Sequence, residues 1–550
     1  MNEISAKIIL QACKKQVQTV KELENIKRDI LRVSKEKIDI PRKSKLLETY
    51  FILLKAKKIK QNLNLEKLLV KRGVRTLSGV AIITVLTKPW PCPGQCVYCP
   101  FEDKMPKSYL SSEPAAARAL RLKFDPYEQV RRRIETLRHN GHPTDKMELI
   151  VKGGSWNAYP LIYQYEFIMR CFMAANGSPK SKVQSQKYSF KKLKEKLVKE
   201  QKKNETGKHR IIGLTLETRP DMINEKTLEE MRWQGCTRLE LGVQSTNDKI
   251  LKKIKRGHTI EATKRAIRLA KAVGFKVDFH LMPQLPGSTP ASDLKMMLEI
   301  FSNPDYRPDM IKVYPCTVIK GSELYTWLKN GEYKTYSNEK LIAMLIKFKA
   351  KVPRYVRISR LIRDIPSPHI ESGNKMTNLR QVVQAEMKKR GLSCNCLRCR
   401  EVGHQIEAKN KNEKLKMFVD KYEASGGTEY FLSWEDKNRK VVYAFCRLRL
   451  EHNFDTIKKE FKKIKIYPAY IRELHTYGQL LDIGTRDKKA SQHQGMGKKL
   501  IIEAEKIVKK NKIDKLAVIS GVGVRGYYRK LGYKLENGYM VLRIIKDNCE

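Results

Sequence analysis

Residues 88–100 read KPWPCPGQCVYCP, a proline-rich loop that sets Cys92, Cys96 and Cys99 in a C-x3-C-x2-C spacing directly after the apolar run 80–86. Three thiolates on one short loop can ligate three irons of a 4Fe-4S cube, whose irons usually take four, so this spacing leaves one iron open to a small molecule. A zinc knuckle is the competing reading of the same cysteines. Outward from this loop, short β-branched or apolar runs at 80–86, 147–151, 211–216, 237–243, 276–282 and 310–314 alternate with helical stretches. The alternation predicts βα units around a parallel sheet, a full or partial α/β barrel whose chemistry sits at the C-terminal ends of its strands. Gly153 and Gly154 end the second strand, Glu217 and Arg219 the third, and Glu240 and Gln244 the fourth. The glycines let a ligand approach bare backbone. The carboxylates and amide suit a polar ligand, or else ordinary salt bridging at the barrel mouth.

The 550 residues carry 112 Lys and Arg against 59 Asp and Glu, a formal charge of +53. A 41% hydrophobic content still suffices for buried cores, and the length suggests about two to four domains. Such a charge predicts a polyanionic partner, nucleic acid before membrane. No apolar run approaches the roughly 20 residues that span a bilayer, and MNEISAKIIL lacks a signal peptide's apolar core, which predicts a cytoplasmic protein. The first 80 residues hold 20 Lys and Arg against 8 Asp and Glu, with apolar residues at helical spacing through Leu46, Leu47, Tyr50, Phe51 and Leu54. They read as a basic helical region. Residues 176–210, with 12 basic and 3 acidic side chains, read as a surface insertion.

A proline-rich break, RDIPSPHIESG, precedes a second cysteine triplet, Cys394, Cys396 and Cys399, followed by His404. Clustered triplets in an unsecreted chain point to metal rather than disulfides. Beyond about residue 412, strands at 430–434, 441–450 and 469–477, a glycine turn, a helix at 497–510 and a strand at 516–519 predict a separate mixed α/β domain. In it Gln492-His-Gln-Gly-Met-Gly497 would turn backbone N–H groups toward a phosphate at a helix N-terminus.

The first triplet and its barrel resemble the radical S-adenosylmethionine (SAM) enzymes, and the glycine turn with GVGVRGYYRKLGY resembles the GNAT acetyltransferases. Fused in this order, and with VRTLSGVA, IGLTLETRPD, CTRLELGVQS, IKVYP, RDIPSP, REVGHQ and IRELHTYG between them, the motifs are similar to those of the catalytic-subunit family of Elongator in its stand-alone archaeal form. The resemblance implies a partial (β/α)6 radical SAM barrel over 76–370, a zinc-binding linker over 371–411 and a GNAT domain over 412–550, behind a tRNA-binding region at 1–75. It implies 4Fe-4S ligation by Cys92, Cys96 and Cys99, and SAM contacts by Gly153, Gly154, Glu217, Arg219, Glu240 and Gln244. Acetyl-CoA contacts fall to Lys146, to Glu473, Leu474, His475 and Thr476, and to Gln494, Gly495, Met496, Gly497 and Lys498. Lys312 and Tyr314 would line the cleft where base and acetyl group meet. Tyr528 or its neighbour Tyr527 would face the thioester, unless both are core aromatics.

Zinc would take Cys394, Cys396, Cys399 and either His404 or Cys316. The implied activity is C5 modification of the wobble uridine in the anticodon stem-loop, using acetyl-CoA, a SAM-derived radical and an external electron donor, with no obligate protein subunits, in a monomer or homodimer. The alternative is a lysine acetyltransferase with a structural iron-sulfur cluster. Two departures touch the SAM contacts: Cys99 is followed by PFED where the family often reads PGG, and GGSW stands where GGTF is common.

Overall fold

The computed structural model of the chain describes residues 3–33, 40–70, 79–180, 189–405, 415–477 and 495–544. Seven parallel strands form one sheet in sequential order: β1 (Ala81–Leu86), β2 (Lys146–Lys152), β3 (Arg210–Thr218), β4 (Arg238–Gln244), β5 (Lys276–Leu281), β6 (Met310–Val313) and β7 (Arg357–Arg360). Among the described residues β1 pairs only with β2 and β7 only with β6, so the sheet curves into a partial barrel without closing. The sequence patterning yields six of these strands. The seventh, RISR, escapes it because Ile358 is its sole buried side chain.

Helices cover the outer face, and their starts are chemically marked. Asp125 accepts from the N–H groups of Tyr127 and Glu128, and Asn224 and Thr289 form capping boxes with Thr227 and Ser292. Within the basic stretch 176–210, expected as an inserted surface loop or helix, a helix does form, and residues 181–188 lie outside the described residues. That helix, Phe190–Asn204, packs on Leu161–Asn176 and fully buries Leu193 and Leu197, so it belongs to the barrel's outer layer. The lysines concealed this, because two leucines four residues apart are enough to seat one helix face.

Helices Glu3–Lys14, Val20–Val33, Lys43–Lys55 and Leu63–Leu69 form a bundle with a core of its own, which includes Leu46, Leu47 and Tyr50. Phe51, expected in that core, is half exposed. The bundle meets the barrel where Leu47 and Val70 approach Gly141 so closely that a Cβ there would lie 2.6 Å from the Leu47 side chain. No helix among the described residues is long and apolar enough to cross a membrane.

The C-terminal sheet comprises β8 (Lys416–Ala424), β9 (Gly427–Glu435), β10 (Val442–Glu451), β11 (Ala469–Thr476), β12 (Lys515–Val518), β13 (Lys534–Glu536) and β14 (Tyr539–Arg543), in the order β8-β9-β10-β11-β12-β14-β13. Only β11 and β12 run parallel, and they pair only at Tyr470 and Ile471 before diverging, which leaves one edge of Glu473–Thr476 without a strand partner among the described residues.

This domain closes the N-terminal end of the barrel. Gly521 lies against the Ile212 carbonyl, where a Cβ would come within 1.9 Å of the oxygen. Asp309 accepts from the Val277 N–H at 2.9 Å and meets two buried guanidinium groups of the C-terminal domain, Arg472 at 2.9 Å and Arg447 at 3.7 Å. Arg472 also donates to the Phe275 carbonyl at 2.7 Å, and Arg447 to that of Tyr355 at 2.7 Å. Replacing Asp309 by alanine would remove the carboxylate that both cations share, leaving Arg472 to Glu429 and Arg447 to Glu473, an expected loss of about 3 kcal/mol of unfolding free energy. Urea titration followed by circular dichroism measures it.

Candidate active site

The cluster loop leaves β1 over the C-terminal end of the barrel. Cys96 is buried, whereas Cys92 and Cys99 are partly exposed. Cys96 and Cys99 are close enough to share a hydrogen bond, although the three thiols do not all lie within 4.8 Å of one another. A hydrogen bond from Cys99, aided by the Arg256 guanidinium, draws the Cys96 thiol well below its ordinary range, toward the thiolate that metals require. Arg256 Nη1 lies 3.4 Å from Cys96 Sγ and Nη2 donates to the Gly242 carbonyl at 2.6 Å. Among the described residues Arg256 forms no ion pair with a carboxylate, so its buried charge is complementary to an anionic cluster.

Around this loop the residues assigned to SAM converge on one cavity of about 540 Å³. Gly154, at φ +108°, faces open space; Gly153, at φ +124°, is instead a packing glycine whose Cβ would meet Thr87 Oγ1 at 2.0 Å. Gln244 Oε1 and Arg219 Nη1 are buried without a hydrogen-bond partner among the described residues, and both residues line the cavity. Orphaned polar atoms beside an open glycine fit a polar ligand.

Deeper in the barrel Glu217 and Glu240 are not free carboxylates. Lys152 bridges them, 3.3 Å from Glu217; His280 reaches Glu217 at 3.3 Å and Glu240 at 3.1 Å; Lys312 pairs with Glu240. Against the cost of burial, Lys152 and Lys312 hold Glu240 well below the usual carboxylate range. Glu217, Glu240 and His280 bring three donor atoms within 4.8 Å, but the two ammonium groups already occupy the place of a metal cation. Burial brings Lys312 down to about 8, and Tyr314 packs edge-on to His280 at 5.3 Å. Asp278, fully buried one residue pair away, is pushed up to about 7 by desolvation and by Glu240, with Lys312 opposing.

The same cavity continues to the other end of the barrel and reaches Glu473, Leu474 and His475 on β11. Lys276 and Arg447 hold Glu473 below the carboxylate range despite its burial, and His475 packs on Phe445 and Tyr477. Helix Met496–Lys510 begins at Gly495, φ +69°, and a Cβ at Gly497 would lie 3.5 Å from Thr476 Oγ1 and 3.4 Å from the Tyr527 hydroxyl. Met496 is buried in the core, Lys498 is exposed, and Gln494 lies outside the described residues. Tyr528 is buried against Tyr533, so the tyrosine beside the helix start is Tyr527. Successive helical residues point about 100° apart, and only one of the pair can face that turn. Lys146, at the start of β2, does not line the cavity.

Cys394, Cys396 and Cys399 do lie within 4.8 Å of one another, the spacing of a single ion. Neither proposed fourth ligand joins them. His404 Nε2 is paired with Glu401 at 2.8 Å, and Cys316 is buried in the apolar cluster that holds Cys96. Lys349 Nζ lies 3.8 Å from Cys399 Sγ.

Comparison with known proteins accords with this geometry. The chain matches the Radical SAM superfamily over residues 92–300, beginning at the first loop cysteine, and the Radical SAM C-terminal domain over 308–389. It is 45% identical to the tRNA uridine(34) acetyltransferase of Methanocaldococcus infernus, covering 94% of this chain and 95% of that protein. The chain belongs to the tRNA uridine(34) acetyltransferase and Elongator protein 3 family. It is 39% identical to Elongator complex protein 3 of Saccharomyces cerevisiae over 86% of this chain and 84% of that one. A solved structure of the archaeal Methanocaldococcus infernus Elp3, lacking residues 1–46, superposes with a TM-score of 0.71 at 42% identity, covering 85% of this chain and 99% of that one.

For a member of this family, sequence reasoning missed Lys152, Asp278, His280 and Arg256. The first three carry a visible signal: Asp278 and His280 alternate with Lys276 along one face of their strand, and Lys152 lies four residues from Glu148 on the cavity-lining face of β2. Asp278 also has a measurable cost. The folded state holds its proton up to about pH 7, whereas the free side chain releases it near 3.8, so its contribution to stability falls as pH rises through that window. Asp278→Asn is expected to melt higher than the parent at pH 8, with the gap closing toward pH 4 in scanning fluorimetry.

Proposed function

We propose that the chain installs a carboxymethyl group at C5 of wobble uridine 34 in tRNA, taking the two carbons from acetyl-CoA. The observation that carries this reading is the single cavity that joins the cluster loop at one end of the barrel to β11 of the C-terminal domain at the other. A conventional lysine acetyltransferase would need its acyl strand to open on a peptide groove, whereas here Leu474 and His475 open into the barrel.

Cys92, Cys96 and Cys99 would hold the 4Fe-4S cluster, with SAM set against Gly154, Glu217, Arg219, Glu240 and Gln244. When bound, this pair supplies a carbon-centred radical able to take hydrogen from an unactivated methyl group, chemistry that no side chain of the protein could perform. The chain's own residues do the placing. The unpaired edge of β11 offers backbone groups to the amides of the acyl-CoA arm, in the manner of an added strand. The N–H groups at Met496, Gly497 and Lys498 favour its pyrophosphate, and Tyr527 stands beside them as the candidate thiolate donor. Lys312 and Tyr314 line the middle of the cavity, where the acetyl group and the base meet out of bulk water. The wobble base is already unpaired, so splaying it into the barrel costs little.

The domains are a tRNA-binding region at 1–75, the radical SAM domain at 76–370, a zinc linker at 371–411 and a GNAT domain at 412–550, acting as a monomer or homodimer with an external electron donor. In the linker a zinc on Cys394, Cys396 and Cys399 would hold the turn that presents Glu401 to Arg357 at 2.7 Å, and Arg357 in turn donates to the Tyr477 hydroxyl at 3.1 Å.

Anaerobic incubation of reconstituted protein with SAM, reductant, acetyl-CoA and tRNA, followed by nucleoside mass spectrometry, is expected to yield 5-carboxymethyluridine, and Cys96→Ala to abolish it. Acetyl-lysine on a protein substrate without the modified nucleoside would overturn the reading. Elemental analysis is expected to find one zinc per chain, lost in Cys396→Ser while iron is retained. Affinity for tRNA is expected to fall steeply with salt, as counterion release requires.

A further inference from the structure

Asp278 sits midway along the barrel, and its surroundings leave it in an unusual position. The side chain is fully buried and lines the cavity, yet neither carboxylate oxygen has a hydrogen-bond partner among the described residues. The charged groups that face it are otherwise engaged. On β2, Lys152 is held by Glu217 and Glu240; on β4, Arg238 donates to Glu148 at 2.7 Å. On its own strand, Lys276 pairs with Glu473 at 3.5 Å, and His280 spans Glu217 and Glu240. Only Lys312 on β6 turns toward it, with Nζ 3.9 Å away, beyond hydrogen-bond range, while bonded to Glu240. A carboxyl group buried without a donor costs stability, and groups so placed in a cavity mark functional sites.

The ligand that would satisfy this pair can be read from its chemistry. Asp278, whose proton leaves when an N–H is presented to the carboxylate, offers an acceptor and Lys312 a spare donor, since an ammonium group has three N–H bonds and Glu240 uses one. A planar group with an N–H beside a carbonyl oxygen is complementary to them, and uracil presents that pattern at N3–H and its flanking carbonyls. Cytosine places a lone pair at N3 and an amino group at C4, so it would set acceptor against carboxylate and donor against ammonium. With the N3 edge on Asp278, C5 lies away from it, open to the rest of the cavity.

We propose that Asp278, with Lys312, reads the N3–H edge of the target uracil and thereby selects uridine over cytidine. This rests on the tRNA-modifying role proposed above and adds to it a specificity-determining residue. Among the described residues Asp278 forms no hydrogen bond or ion pair with the cluster loop or β11, so its contribution is separable from cofactor loading.

The test uses the full-length reconstituted enzyme and three transcripts that differ only at position 34: uridine, 3-methyluridine and cytidine. The parent enzyme is expected to modify the uridine transcript with a kcat/KM at least about 10- to 100-fold above that for 3-methyluridine, the range one well-placed polar pair discriminates. Asp278→Leu and Asp278→Ala, which leave no acceptor at this position, are expected to lose uridine activity by a similar factor and to collapse the uridine to 3-methyluridine ratio toward one. A merely structural role would lower both transcripts together and leave the ratio intact, which would overturn the proposal. Weakened acetyl-CoA binding with an unchanged ratio would also overturn it, by giving the carboxyl group to an amide of the acyl-CoA arm. Failure of the parent enzyme to modify the uridine transcript at all would instead sink the functional reading, and this inference with it.

Discussion

The pairing of Asp309 with Arg472 and Arg447 is the constraint on which the rest of the arrangement depends. A parallel barrel ends in strand termini whose backbone groups need partners, and here the C-terminal domain supplies them. Asp309 holds the Val277 N–H on the barrel side and two guanidinium groups on the other, while those same arginines take the carbonyls of Phe275 and Tyr355. Buried charges of this kind contribute little net stability compared with apolar packing, but they tolerate only one alignment. That alignment aims Leu474 and His475 of β11 up the barrel axis, and it makes one cavity out of what would otherwise be two sites in two domains.

The cavity's electrostatics follow from its construction. Its wall is built from residues of all seven barrel strands, and Lys152, Glu217, Glu240, His280 and Lys312 neutralise one another in a chain. The acids are thereby held ionised and removed from proton chemistry. What remains unsatisfied is informative: Arg256 beside the Cys96 thiol, Arg219 Nη1 and Gln244 Oε1 near the loop, and Asp278 in the middle. Each group left without a partner stands where a ligand would complete it, and the stability given up at Asp278 is the kind of cost that functional sites carry.

The fold was largely legible because its signals are local. The β-branched runs, the loop cysteines and the glycine turn each announce an element within a dozen residues. The misreadings were also local in origin. Four-residue β7 offers a single buried side chain, the lysines of Phe190–Asn204 hide two leucines, and Phe51 shares the periodicity of the core without entering it. At the site, Glu217, Glu240 and Gln244 were visible as polar residues at strand ends, and Lys312 only through the resemblance of the IKVYP motif. Asp278, Lys152 and His280 were passed over because a charge inside an apolar strand reads as an interruption until the barrel's inward face is known.

Sequence alone determined the chemistry available to this protein: two cysteine triplets at different spacings, a glycine turn opening a helix, and the order of barrel before mixed α/β domain. Tertiary structure decided which of these residues share a space. It brought the second triplet within the reach of a single ion, and it set Tyr527 rather than Tyr528 at the helix start. It also left His404 and Cys316 outside the second triplet. The physical reason is that ligand spacing, charge pairing and orphaned polar atoms depend on distances between strands remote in sequence, and those distances are set by burial and by the closure of the barrel's lower end.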